Sequence, residues 1–190
     1  MKNIAVFVSG NGSNFENITR FLNGNTTARV ALLVSNKDDA YALTRAERLG
    51  VEAIIWKKTD FADMERTLQM LHDHSIDFIV LAGFLLMVPS YLIEQYNRRI
   101  LNIHPSLLPK YGGKGMYGSK VHEAVKANGE TETGITIHYV SEVCDGGDVV
   151  RQEKTNVSPT DTPDDIAAKV HDLEKEYFPQ TILDIIVEQS

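Results

Sequence analysis

Cysteine is nearly absent: the 190 residues hold one, Cys144. A single thiol excludes an intramolecular disulfide framework and makes a reducing cytoplasm the expected location. Long apolar runs are missing too, since no stretch approaches the roughly 20 residues that a membrane span needs. The opening Met-Lys-Asn-Ile-Ala-Val-Phe-Val is too short an apolar run for a signal segment and leads straight into a glycine loop, so it reads as a first strand. Positive charge is in deficit. A formal net charge of -7 disfavours non-specific binding to nucleic acid or to an anionic membrane, although backbone amides can still hold a small phosphorylated ligand. Repeats, low-complexity linkers and a second domain are not evident, and residues 1–190 are expected to form one domain large enough for a core without metal or disulfide staples.

What is present is an alternation of apolar strands and amphipathic helices. Residues 4–9 read as a strand, followed by a helix over 14–22 with Phe15, Ile18 and Leu22 at helical spacing and Gly24 as a stop. A strand at 30–35, a helix at 40–49 closed by Gly50 and a strand at 51–56 follow. Asp60 can cap a helix carrying Phe61, Met64, Leu68 and Leu71, and further strands fall at 78–82 and 100–103. Nearly continuous apolar strands in βα units imply an α/β fold: a Rossmann-like, mostly parallel sheet with helices on both faces. From about residue 101 the character changes. Glycines at 112, 113, 115 and 118 make a loop able to close over a ligand; a helix fits 120–127, and strands at 133–140 and 148–157 predict an antiparallel extension. Thr162-Pro163-Asp164-Asp165 is a helix start, with Thr162 as N-cap and Ile166, Val170, Leu173 and Tyr177 as one apolar stripe. Residues 1–100 read as a nucleotide-binding half and 101–190 as a catalytic half.

Three motifs carry chemistry. Ser9-Gly10-Asn11-Gly12-Ser13-Asn14 lies between the first strand and helix, where free N–H groups and the helix dipole favour an anion. It is not a dinucleotide fingerprint, because Phe15 stands at the third glycine position, and no Gly-Lys-Ser/Thr follows. A monophosphate held by Gly12, Ser13 and Asn14 fits; a capped turn without ligand is the other reading. In Leu101-Asn102-Ile103-His104-Pro105-Ser106-Leu107-Leu108-Pro109, strand alternation puts Asn102 and His104 on one face, and the prolines end the strand after them. Here the plainer reading is a buried histidine satisfied by a carbonyl beside a turn asparagine. Asp145-Gly146-Gly147 supplies a carboxylate that could join the amide and the imidazole, or act only as a turn acid.

Together with Leu81-Ala82-Gly83-Phe84 and Val34-Ser35-Asn36-Lys37, these motifs resemble, from the first strand to the last helix, the phosphoribosylglycinamide formyltransferases, folate-dependent enzymes of purine synthesis. The resemblance implies transfer of the formyl group of 10-formyltetrahydrofolate, as co-substrate, to the amine of 5'-phosphoribosylglycinamide through a tetrahedral intermediate. It further implies that Asn102 donates to the developing oxyanion, that His104 adds a charged donor and assists proton transfer, and that Asp145 pairs with the imidazolium and holds a proton-shuttling water. No covalent intermediate is needed, so Cys144 and Ser106 are not required as nucleophiles. Gly12, Ser13 and Asn14 would hold the ribonucleotide phosphate and Glu174 its ribose hydroxyls. The folate pteridine would lie against Leu85, Leu86, Met87 and Val88, beside Asn102, and against Ser141, Glu142, Val143, Cys144 and Asp145. Leu86 and Met64 stand where some relatives carry arginine. A cis peptide is implied at Leu108-Pro109. Small-molecule substrates, no nucleic acid, no membrane and a monomer or homodimer complete the expectation.

The remaining histidines read plainly. His72 and His74 beside Asp73 are expected to be solvated residues at a helix end, with no metal; His138 to pack on a strand; His122 and His171 to lie on helix surfaces, although His171, one turn before Glu174, could border the ribonucleotide. Two relatives with the same Asn, His and Asp differ in extent. Formyltetrahydrofolate hydrolase carries an additional N-terminal domain and methionyl-tRNA formyltransferase a C-terminal extension, whereas this chain starts at the catalytic strand and ends at Ser190. A non-catalytic nucleotide-binding module using the Gly12 loop alone is the reading from another class.

Overall fold

The computed structural model describes residues 1–190. Seven strands form one sheet: β1 (Lys2–Val8), β2 (Ala28–Ser35), β3 (Glu52–Ile55), β4 (Phe78–Leu81), β5 (Ile100–His104), β6 (Glu132–Tyr139) and β7 (Val149–Asn156). Their order is β3-β2-β1-β4-β5-β6-β7. The first five run parallel, and β6 and β7 pair antiparallel. The helices are α1 (Ser13–Phe21), α2 (Tyr41–Leu49), α3 (Lys58–Phe61), α4 (Met64–Asp73), α5 (Ser90–Gln95), α6 (Ser119–Ala127) and α7 (Pro163–Glu188).

Strand β1 explains the two-sided core. Ile4, Val6 and Val8 point into a layer with Phe15 and Ile18 of α1, Ala42 and Ala46 of α2, and Phe178 and Ile182 of α7. Ala5 and Phe7 point the other way, towards Trp56, Phe61, Leu71 and Leu92. A strand covered on both faces has no room for a polar alternation, hence its apolar run. Burying a side chain such as Phe15 or Ile18, both 0% exposed, contributes about 1.5–3 kcal/mol.

The strand order reverses at β1, which has β2 on one side and β4 on the other. Loops leaving the C-terminal ends of β1 and β4 therefore diverge, opening a crevice there. The loops after β1 and β5 supply the motif residues to this end of the sheet.

Helix α7 starts as its sequence dictates. Thr162 accepts from the Asp165 N–H, and Asp165 reaches back to the Thr162 N–H at 2.8 Å. Pro179 lies inside this helix and offers no N–H to the carbonyl four residues earlier, that of Lys175. Asn17 of α1 fills the gap, its Nδ2 donating to Lys175 O at 2.9 Å. A missing helix bond thus becomes a tie between α1 and α7, one turn from Asn14 and adjacent to Glu174.

Some expectations need correction. Asp60 does not cap the long helix. Its side chain accepts from the Lys57 N–H at the start of α3, while Asp63 caps α4 by accepting from the Arg66 N–H at 3.0 Å. His74 is not a solvated helix end: Nδ1 meets Met70 O at 2.6 Å and Nε2 meets Glu52 of β3 at 3.2 Å. Helix α5, which follows Pro89, has too few turns to show a periodic stripe in sequence. The Leu108-Pro109 peptide is cis, as the resemblance implied.

Candidate active site

Asn102 and His104 extend from one face of β5, two residues apart, and each sits across from a β6 residue on that face: Asn102 faces His138 and His104 faces Thr136. Thr136 fixes the turn beyond. Its hydroxyl donates to Ser106 O at 2.7 Å and accepts from the Leu108 N–H at 3.0 Å, while Ser106 Oγ donates to Lys110 O at 2.6 Å. The proline-bounded segment is therefore held at both ends.

His104 is buried, with a side chain 6% exposed. Nδ1 lies 3.5 Å from Asp145 Oδ2, and Nε2 lies 2.7 Å from the Tyr111 carbonyl. Both neighbours accept protons in hydrogen bonds and neither donates, so the imidazolium form places one N–H against each. The two loop residues that flank the ring, Tyr111 at φ 55 and Asp145 at φ 54, both sit in the left-handed region. Such non-glycine conformations are held only where surrounding contacts dictate them.

Those contacts are visible for Asp145. Oδ2 accepts from the Gly113 N–H at 2.8 Å, which joins the glycine loop to the Asp-Gly-Gly turn. Gly147 lies so close to β6 that a Cβ would come within 1.7 Å of Tyr139 O, and a Cβ on Gly146 would meet Val143 Cγ1 at 2.6 Å. Only glycines let the turn press onto the strand and bring the carboxylate back over His104.

The loop after β1 ends on Gly12 at φ 76, and a Cβ there would stand 2.5 Å from Ala42 Cβ. The residue is glycine for two reasons, its left-handed backbone and its contact with α2. Arg45 of α2 holds the loop, donating to Asn11 O at 2.8 Å and Asn11 Oδ1 at 2.7 Å while pairing with Glu16. Ser13 and Asn14 open α1 with first-turn N–H groups that have no intrahelical partner. Asn14 Nδ2 donates to Glu174 Oε2 at 2.9 Å, and Asn14 Oδ1 is buried without a partner. His171 Nδ1 meets the same Glu174 oxygen at 3.3 Å, and that carboxylate raises the imidazole above its ordinary range. Glu174 is thus brought to the start of α1, and His171 with it.

The residues expected along a folate site divide. Leu85, Met87 and Val143 are exposed apolar side chains at 48%, 59% and 68%. Leu86 is half-buried, and Val88 turns into the core beside Leu92. Ser141 caps its own turn, its Oγ meeting the Val143 N–H at 3.3 Å; Glu142 is exposed. Cys144 Sγ lies 3.8 Å from Asp145 Oδ2, and partial burial with that carboxylate pushes the thiol up, away from a nucleophilic thiolate. Met64 is exposed at the first residue of α4.

Besides His74, two further histidines depart from expectation. His138 does not merely pack: its Nε2 lies 3.0 Å from Asn102 Nδ2 and 3.7 Å from Asp145 Oδ1. His122 of α6 is buried rather than on the surface, its Nδ1 has no partner, and burial lowers its protonation range, opposed by the charge of Glu174. Tyr111 also escaped sequence reasoning, because its contact with His104 uses a backbone carbonyl. No group of three or more His, Cys, Asp or Glu is gathered as a metal cage. No helix is long and apolar enough to cross a membrane.

Comparison with known proteins agrees with this geometry. The chain is 40% identical over 183 residues to the chloroplastic phosphoribosylglycinamide formyltransferase of Arabidopsis thaliana, covering 93% of this chain and 63% of that one, so it spans under two thirds of the plant protein. With the phosphoribosylglycinamide formyltransferase of Bacillus subtilis it shares 35% identity over 191 residues, 98% of this chain and 95% of the relative. The crystal structure of the Bacillus halodurans phosphoribosylglycinamide formyltransferase superimposes with a TM-score of 0.88 at 30% identity, covering 100% of this chain and 97% of that one. A sequence model described as formyl transferase matches residues 2–182, and the chain accordingly belongs to the formyl transferase family.

Proposed function

We propose that this chain transfers the formyl group of 10-formyltetrahydrofolate to the amine of 5'-phosphoribosylglycinamide, a step of purine synthesis. The observation that carries the reading is the nearness of an amide, an imidazole and a carboxylate: His104 Nδ1 is 3.5 Å from Asp145, and Asn102 is two residues from His104 on the same strand face.

Acyl transfer between two nitrogens needs donors for the oxygen that gains charge and a route for the proton that the amine loses. Asn102 supplies a neutral N–H donor. His104 supplies a second donor, charged when both ring nitrogens carry hydrogen, with the Asp145 carboxylate 3.5 Å from Nδ1 as its counter-charge. The Nε2–H of His104 donates to Tyr111 O in this conformation, and its use on substrate requires that the glycine loop exchange that contact. Cys144 and Ser106 have no covalent part, since a neutral amine is itself a competent nucleophile.

The ribonucleotide phosphate would sit on the N–H groups of Gly12, Ser13 and Asn14, where the α1 dipole adds to their pull. Glu174 would accept from ribose hydroxyls, and the unpartnered Asn14 Oδ1 beside it is a second acceptor. Leu85, Met87 and Val143 would cover the pteridine, with Leu86, Val88, Ser141, Glu142 and Cys144 around it. The test is mass spectrometry of the ribonucleotide after incubation with protein and 10-formyltetrahydrofolate. Gain of one formyl group supports the reading, and an unmodified ribonucleotide under turnover conditions contradicts it.

A further inference from the structure

His138 is the one buried titratable group in contact with Asn102, and its two bonds define its proton. Tyr139 O lies 2.9 Å from Nδ1 and can only accept, so the neutral ring carries its hydrogen on Nδ1. Nε2 is then a bare acceptor. The group 3.0 Å from it is the Asn102 amide, which must present its NH2 edge and turn its oxygen away. The flipped amide would need a second proton on His138, a charge inside a site where the side chain is 3% exposed. Burial pushes this ring below the ordinary histidine range, opposed by the hydrogen bond to Tyr139 O and the charge of Asp145 and aided by His104. Asp145, His104, Asn102 and the Tyr139 carbonyl are the groups that face it.

Asparagine amides have two flip states of equal shape and opposite polarity. In one, Asn102 offers N–H to a developing oxyanion; in the other it would offer a carbonyl oxygen, which repels it. We propose that His138 is a positioning residue for Asn102: as the neutral Nδ1–H tautomer it accepts one Nδ2–H, which leaves the other as the donor for the reacting oxygen. Because its Nε2 lacks a hydrogen, His138 also makes no claim on Asp145 Oδ1, 3.7 Å away, and does not compete with His104 for that carboxylate. This inference rests on the proposed formyl transfer for its consequence, but the tautomer stands on its own.

The test combines a spectrum with kinetics. Nitrogen–proton correlation spectra of 15N-labelled protein, with the His138 ring assigned by difference from His138→Gln, should show a neutral Nδ1–H tautomer that persists at about pH 6, where a free histidine is largely charged. A charged ring or an Nε2–H tautomer would overturn the proposal. His138→Leu removes the acceptor and should lower kcat about tenfold to a hundredfold, with KM for both substrates within about threefold. His138→Gln, whose side-chain oxygen can take the same N–H, should recover most of that loss. Adding His138→Leu to Asn102→Ala should cost nothing further in kcat, because the group being positioned is gone. Unchanged kcat in folded His138→Leu, or independent losses in the double variant, would refute the role. If the unaltered protein formylates no ribonucleotide, the functional reading falls while the spectrum still decides the tautomer.

Discussion

Asp145 Oδ2 accepts the Gly113 N–H at 2.8 Å and lies 3.5 Å from His104 Nδ1, so one carboxylate oxygen joins the glycine loop to the buried imidazole. Charge on Asp145 therefore matters separately from its shape. Asp145→Asn keeps the shape and removes the counter-charge. It is expected to lower kcat by at least about 100-fold, with the Kd for the ribonucleotide within about threefold. Steady-state kinetics with a binding titration checks this; equal losses in both would place Asp145 in ligand binding instead.

Gly12→Ala is expected to fail for two reasons at once, its φ of 76 and the 2.5 Å approach to Ala42 Cβ. The neighbour is a short side chain on a packed helix and cannot swing away. A loss of about 1–3 kcal/mol follows, or roughly 2–10 °C in Tm. KM for the ribonucleotide should rise about tenfold or more, with a smaller change in KM for the folate. Melting curves and the two KM values together test it.

The histidines set an acid limb on stability. His138 and His122 are held below the ordinary value of 6.5 by burial. Just below that pH the unfolded chain binds more protons than the folded one, so their contribution to stability falls as pH drops through about 6.5. His171 has the opposite sign. Glu174 raises it, so that pair stabilises most below 6.5 and less as pH rises through the folded value. Denaturant melts between about pH 5 and 8 should show His138→Gln losing less stability on acidification than the unaltered protein, and Glu174→Gln losing its deficit as pH rises.

The βα pattern was readable because buried parallel strands such as residues 4–8 are unbroken apolar runs, α1 announces itself by its apolar stripe and α7 by stripe and cap. The proximity of Asn102 to His104 followed from strand alternation alone. His138 did not, because its place depends on the register of β5 against β6, which sets Asn102 opposite His138 and which no local pattern encodes. Asp60 and Asp63 show the same limit at short range. Asp63 accepts from the N–H three residues after it at the start of α4, Asp60 from the one three residues before it at the start of α3, and only the break between α3 and α4 decides which role each acid takes. Tyr111 was invisible for another reason: a carbonyl contact leaves no trace in residue type.

Asn102, His104 and Asp145 together are proposed to carry formyl transfer from folate to a ribonucleotide amine. Its most direct test follows tetrahydrofolate release spectrophotometrically from 10-formyltetrahydrofolate, with and without 5'-phosphoribosylglycinamide. Release is expected only when the ribonucleotide is present, with a loss of at least about 100-fold in His104→Ala. Release without the ribonucleotide would make the protein a hydrolase, and release undiminished in His104→Ala would remove the imidazole from the chemistry.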